Sequence, residues 1–263
     1  MTKGSFAKRF TAAVAAGLLL CSTVATQRAA ADPAEITVLA SVALTSALDE
    51  LALQYQRATG NELKISYSLI SDIKKRIIAG ETADVIILSR PVMDDLQKQD
   101  KFMSGSIANI AGTPVSVVAR AGAVKPDISS VDALKRSLLA AKSIVYADPA
   151  KGGASGVYFA GVVERLGIAE QLKPKTILVP GAQAADVVAK GEAEIGVGQA
   201  SEIVPVTGAQ LVGPLPGEFA STTLFAAGIG AGTTAPEAAR SLIQFLNGPV
   251  AAPVFKSKGF QPG

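Results

Sequence analysis

Short apolar runs of strand length alternate with helix-spaced segments along most of the chain, and this alternation restricts the fold to one class. Residues 36–40 read as a buried strand, and Leu44, Leu48, Leu51 and Tyr55 then recur at helical spacing up to Arg57. The unit repeats with a strand over 63–68, a helix over 72–79, a strand over 84–88 and a helix over 92–99. Further strands are expected over 115–119, 143–147, 176–179, 194–197 and 222–227, mostly separated by helices over 131–140, 157–166 and 184–190. Repeats of this kind predict an α/β fold, with a mostly parallel sheet covered by helices on both faces. Ligands of such sheets sit beyond the carboxyl ends of the strands, at helix N-termini. The last run, 236–255, carries Ala239, Leu242, Ile243, Leu246 and Val250 as one apolar stripe, expected to pack on the first part of the chain.

The first residues read differently. Lys3, Lys8 and Arg9 precede an apolar stretch over 10–20, and Ala29, Ala30 and Ala31 come just before Asp32, the pattern of a secretory signal peptide cleaved after Ala31. That leader holds four basic residues, Lys3, Lys8, Arg9 and Arg28, and no acidic one. Its removal leaves 21 of the 25 basic residues against 22 acidic ones, so the mature chain has a net charge of −1 rather than +3. A basic footprint for nucleic acid is therefore absent. A lipid anchor on Cys21 is the competing use of that thiol, but Leu20 occupies the place where lipoprotein signals want a small residue. Beyond Ala31 no apolar stretch reaches the roughly 20 residues of a membrane span. The expected product is exported, to the periplasm of a Gram-negative host.

Composition removes several chemistries. The chain has no His, and its one Cys lies in the leader. Imidazole and thiolate nucleophiles, Ser-His-Asp hydrolysis and His/Cys zinc sites are excluded, and neither cofactor nor metal is expected. With no Trp there is no evident aromatic platform for sugars or bases.

Breakers suggest two lobes. Gly112-Thr113-Pro114 and the run from Gly213 to Gly217 bracket a middle segment of domain size, while the residues after Thr222 are too few to fold alone. The expected division is 32–112 plus 222–263 as one lobe and 113–221 as the other, joined by two crossings that act as a hinge. One continuous domain with a proline-rich surface loop is the competing reading.

A small anion held between lobes needs donors, and the free N–H groups and positive dipole ends of converging helices supply them. Residues 41–45, 68–72 and 151–156 each join a strand to a helix and fit that role; small residues in the first and third allow close backbone approach. Ser41, Thr45, Ser71 and Asp72 equally fit simple helix caps, and Gly152-Gly153 a tight turn. The 151–156 loop lacks the Gly-Lys-Ser/Thr end of a nucleotide P-loop.

The run from Ile36 to Leu48, ITVLASVALTSAL, resembles the opening strand and helix of the periplasmic molybdate-binding components of ABC importers. The resemblance continues through residues 79–85, Asp148-Pro149 with residues 155–158, residues 191–197, and residues 245–249 with Phe255-Lys256 and Gly259-Phe260. It implies a two-lobed, type II solute-binding fold, with a small anionic ligand in the cleft, an ABC permease as partner and a monomeric state. In that family two serine hydroxyls and one tyrosine hydroxyl help hold the oxyanion; the matching positions here are Ala43, Ile70 and Gln199. Backbone donors are implied at Ser155 and Gly181. Each missing hydroxyl in a desolvated pocket costs about 1–3 kcal/mol, which argues against tight molybdate binding, although Ser41, Ser68 or Ser71 are placed to compensate.

Arg90 follows the third strand where the family often has an acidic residue, and Lys151 falls in the altered loop. Both suit a carboxylate-bearing anion larger than molybdate, whereas Lys74, Lys75 and Arg76 read as a solvated helix face. Some relatives of molybdate binders are aconitate isomerases, which move a double bond by proton transfer. This is the alternative function, with Lys151 the first candidate for the catalytic group and Tyr67, Tyr158 and Glu218 as others. Asp94-Asp95 and Glu192 with Glu194 are paired carboxylates only in sequence, and the latter pair reads as a solvated turn.

Overall fold

Continuous apolar runs become strands here because helices cover them on both sides. The computed structural model describes residues 33–263, so the expected leader and its expected cleavage after Ala31 lie outside the described residues. The elements run β1 (Glu35–Ser41), α1 (Thr45–Thr59), β2 (Glu62–Ser68), α2 (Ile70–Ile78), β3 (Val85–Ser89), α3 (Arg90–Gln97) and β4 (Ala108–Arg120). Then come α4 (Val131–Ala140), β5 (Ile144–Ala147), α5 (Ala154–Arg165), α6 (Ala169–Leu172), β6 (Thr176–Val179), α7 (Ala184–Ala189), β7 (Ile195–Gln199) and α8 (Ala200–Ile203). The chain closes with β8 (Ala209–Pro214), β9 (Thr222–Ile229), α9 (Pro236–Leu246), α10 (Ala251–Ser257) and β10 (Gln261–Pro262).

The strand order is β2-β1-β3-β9-β4-β7-β5-β6, with β8 and β10 also paired to β4. β1 is parallel to β2 and β3, and β5 is parallel to β6 and β7. Between these parallel groups, β9 and β4 pair antiparallel with their neighbours and with each other. The result is an α/β fold with a mixed sheet.

The long strand β4 passes from one group to the other: residues 108–114 pair with β9, and residues 115–119 with β7. The expected breaker Gly112-Thr113-Pro114 therefore lies inside a strand. A Cβ on Gly112 would come within 2.9 Å of Thr222 Cγ2, so glycine admits the neighbouring strand. The fully buried Thr113 hydroxyl accepts from Ser201 N–H at 3.1 Å and donates to Gly259 O at 3.3 Å. Pro114, which has no N–H to offer, closes the β9 pairing opposite Thr222.

Buried side chains divide at the same crossing. One core holds Leu44 before α1 and residues of β1, β3, α1, α2, α9 and α10, including Tyr55, Ile73, Leu242 and Phe255. Two further clusters, around Phe159 and around Val188, lie within residues 115–219. Ala239, Leu242, Ile243 and Leu246 of the 236–255 stripe pack in the first core, but Val250 is exposed, and the run forms two helices because Gly248 and Pro249 interrupt it. Tyr55 meets Phe245 edge-on at 5.2 Å, tying α9 to α1.

Asp84, just before β3, fixes the approach of three segments. Its carboxylate accepts from Thr37 N–H (2.8 Å), Thr37 Oγ1 (2.7 Å) and Thr233 Oγ1 (2.6 Å). Burial alone would raise its pKa, but these donors prevail and hold it below the ordinary value.

Candidate functional site

The carboxyl ends of both parallel groups meet at one cavity. Ser41 ends β1, Ile70 follows β2, Ala147 ends β5, Gly181 follows β6 and Gln199 ends β7, and all five line it together with Ala43 and Ser155. Its free volume is about 20 Å³, room for one water molecule and no more. A larger guest enters only if the walls part.

Each wall has a local cause. Ser41 begins the 3-10 turn Val42–Leu44 that leads into α1, and its Oγ accepts weakly from Ala43 N–H at 3.4 Å. Leu69 precedes α2 and Gly153 precedes α5, and neither residue provides a side-chain cap. Apart from Asp72 N–H, which donates to Leu69 O at 3.0 Å, the first-turn N–H groups of those helices lack intrahelical acceptors and are the natural donors to an anion. Gly156 sets how close α5 comes: a Cβ there would lie 2.1 Å from Ala147 O. Gly152, with φ +75°, lies against Ser71, whose Oγ donates to Lys151 O at 3.1 Å and so joins α2 to the turn Pro149–Lys151.

Of the residues singled out in the sequence, Ser41, Ala43, Ile70, Ser155, Gly181 and Gln199 line this cavity, while Ser71, Lys151 and Arg90 do not. Gly181 is there without a free amide: its N–H donates to Val179 O at 2.9 Å in the tight turn after β6. Lys151 is exposed. Arg90 is committed elsewhere, with Nε on Asp94 Oδ1 at 2.7 Å and Nη1 on Asn109 Oδ1 at 2.9 Å. It lines a second cavity of about 420 Å³ with Thr222, Thr223 and Leu224; Ala154 forms part of both walls. Among the other candidates, Tyr67 donates to Asp49 Oδ1 at 2.7 Å, Tyr158 donates to Phe219 O at 3.1 Å, and Glu218 is exposed.

The sequence reading missed Glu202. It is the one ionisable side chain in the wall of the small cavity, and its Oε2 accepts from Gln199 N–H at 3.1 Å. The residue is half-buried, and desolvation at the cavity wall pushes its pKa up to about 7, against a downward pull from that amide. The reciprocal arm of this capping pair closes only loosely, and the buried Gln199 Oε1 has no partner at hydrogen-bond geometry. The signal was present as a single acid in the apolar stretch between Ile195 and Ile203, three residues after Gln199 in capping-box spacing.

Among the described residues, no group of three or more acidic, His or Cys side chains stands together to hold a metal, and no helix is long and apolar enough to cross a membrane. Another cavity, about 700 Å³, is formed by the α9–α10 turn and the C-terminal strand and shares no residue with the small one.

A sheet with helix starts gathered at the ends of two parallel groups also has known counterparts. The sequence pattern of the bacterial extracellular solute-binding proteins matches residues 36–261. The chain belongs to that family. An aconitate isomerase from a Pseudomonas species is 33% identical over 252 residues, spanning 93% of this chain and 94% of that one. The molybdate-binding protein of Escherichia coli (strain K12) is 27% identical over 249 residues, 93% and 95% of the two chains. The periplasmic molybdate-binding protein of Azotobacter vinelandii has the same fold, with a TM-score of 0.70 at 20% identity over 87% of this chain and 99% of that one. This solute-binding protein is thus a divergent relative of the molybdate type.

Proposed function

We propose that this solute-binding protein captures a small di- or tricarboxylate at the cavity where its two parallel strand groups end. The supporting observation is the wall itself. Ala43, Ile70 and Gln199 stand where molybdate binders resemble one another in offering hydroxyls, while the uncapped starts of α2 and α5 keep amides for an anion. The neighbouring 420 Å³ cavity, sharing Ala154 and bordered by Arg90, gives a ligand longer than an oxyanion somewhere to extend.

Capture is a closure between lobe 32–112 plus 222–263 and lobe 113–221, bending where β4 crosses and where the chain returns before β9. The ligand favours the closed form only by its greater affinity for that form. The protein acts as a monomer in the periplasm after cleavage at Ala31 and delivers its ligand to an ABC permease. Calorimetry of the mature protein against molybdate, sulfate and a tricarboxylate panel tests the reading. Micromolar binding of a tricarboxylate is expected; tight molybdate binding with no carboxylate heat would refute it.

A second reading is favoured by the likeness to an aconitate isomerase and by an acid in the cavity wall. Isomerisation of trans-aconitate needs a base to take a proton from the methylene carbon. The electron pair of that C–H bond shifts the double bond, and the proton returns to the carbon at the other end of the allyl unit. Glu202 lines the cavity for such a transfer, whereas the side chain of Lys151 does not. Incubation with trans-aconitate, followed by chromatography for cis-aconitate, separates an enzyme from a binder.

A further inference from the structure

Glu202 presents an unusual combination: an acid in the wall of an anion cavity, with no cation in that wall. The elements packed on α8 are β4, β7, β8, α7 and the Val42–Leu44 turn. Their only charged residues are Arg120 and Asp186, both exposed. The C-terminal segment also abuts α8, since a Cβ on Gly259 would lie 2.7 Å from Ala200 O. The adjacent Lys258 is paired with Glu50 at 3.0 Å. Among the described residues, then, no salt bridge compensates the Glu202 carboxylate, whose one protein donor is Gln199 N–H.

An ionised Glu202 beside a bound carboxylate would place two negative charges together in a desolvated space, each opposing the other. A protonated Glu202 would instead offer an O–H to one of the ligand's oxygens, in a short charge-assisted hydrogen bond.

We infer that Glu202 is the proton-exchanging residue of this cavity: it takes one proton from solvent as the anion enters and donates the resulting O–H to it. This rests on the anion-binding reading above and adds a specificity device to it. Binding becomes proton-coupled, stronger on the acid side of neutrality and weaker on the alkaline side. The lone protonatable acid also selects ligands that offer an acceptor oxygen at that wall.

Calorimetry with trans-aconitate between pH 7 and 9, where its carboxyls are already ionised, tests this in two buffers of different ionisation heat. The wild type is expected to take up close to one proton per ligand at the alkaline end, its affinity falling about tenfold for each pH unit there. Glu202→Gln, which keeps a donor but cannot titrate, is expected to show no slope. A flat wild-type profile, or the same slope in both proteins, overturns the inference. If neither aconitate nor the oxyanions bind at any pH, the anion reading falls and this inference with it. A ligand-free check needs no variant: the side-chain carboxyl carbon of Glu202, followed by 13C NMR, is expected to titrate near neutrality. Titration in the ordinary glutamate range overturns the inference whatever binds.

Discussion

Replacing Gly156 by alanine sets two opposed effects against each other within one helix. Alanine is favoured over glycine in a helix interior by about 1 kcal/mol. At residue 156, however, a Cβ would lie 2.1 Å from Ala147 O and 2.8 Å from the carbonyl carbon, where ordinary contact begins at 3.4 Å. The obstacle is backbone, so it cannot rotate away, and α5 must withdraw from the end of β5 by roughly 1.3 Å. Overpacking of this kind costs about 1–3 kcal/mol, and a backbone clash belongs near the upper end. The clash therefore wins, and Gly156→Ala is expected to lose about 1–2 kcal/mol net. Gly161 supplies the control, because it lies in the same helix with nothing within 4 Å of its would-be Cβ. Gly161→Ala is expected to gain up to about 1 kcal/mol. Urea denaturation of the two variants and the wild type reads both signs, and calorimetry shows whether moving the α5 start weakens anion binding in the Gly156 variant alone. Equal stabilisation by both substitutions would refute the idea that a backbone contact at Ala147 positions α5.

Three further outcomes follow from single contacts. Asp84→Ala removes the acceptor of three hydrogen bonds and is expected to cost roughly 3 kcal/mol at pH 7 by urea denaturation. Since the folded state lowers the Asp84 pKa, its contribution is complete above the ordinary aspartate value and fades as pH falls through the lower folded one, so wild type and variant should converge in acid. Glu202 has the opposite sign. Its folded pKa of about 7 stands above the ordinary glutamate value, so the wild type loses stability as pH rises between the two. Glu202→Gln should be relatively more stable at pH 8 than at pH 4 by at most about 3 kcal/mol in the same assay. Gly152→Ala would put a Cβ 2.7 Å from Ser71 Oγ at a φ of +75°, with a cost of about 1–3 kcal/mol. Weaker ligand capture is expected, with partial recovery on adding Ser71→Gly, measured by calorimetry.

Periodicity carried the helices and strands of the α/β pattern with small shifts at their ends. The helix expected over 44–57 is Thr45–Thr59, and those over 131–140 and strand 176–179 coincide with α4 and β6. What pattern did not reveal was set by tertiary contacts. β4 begins at Ala108 and runs through Gly112-Thr113-Pro114 because β9 supplies its partners and Thr222 fills the space beside Gly112. The short α6, α8, β8 and β10 carry too few residues to show a period.

The walls of the cavity were legible because strand ends and small residues mark where a parallel sheet offers helix starts. Charge was not. Arg90 looked like a free clamp, but Asp94 lies one helical turn away and Asn109 comes from β4, and together they hold its guanidinium. Gly181 looked like a free amide until the turn back to Val179 O was formed. Glu202 acquires its character from burial beside Gln199, which spacing alone does not reveal.

A crystal structure of the mature protein grown with trans-aconitate tests the central claim most directly. The ligand is expected between the starts of α2 and α5, touching Ser155 and Glu202, with the walls farther apart than the 20 Å³ space allows. Density confined to the α9–α10 groove, or amides of α2 and α5 bound by the protein's own side chains with the cavity unentered, would contradict it.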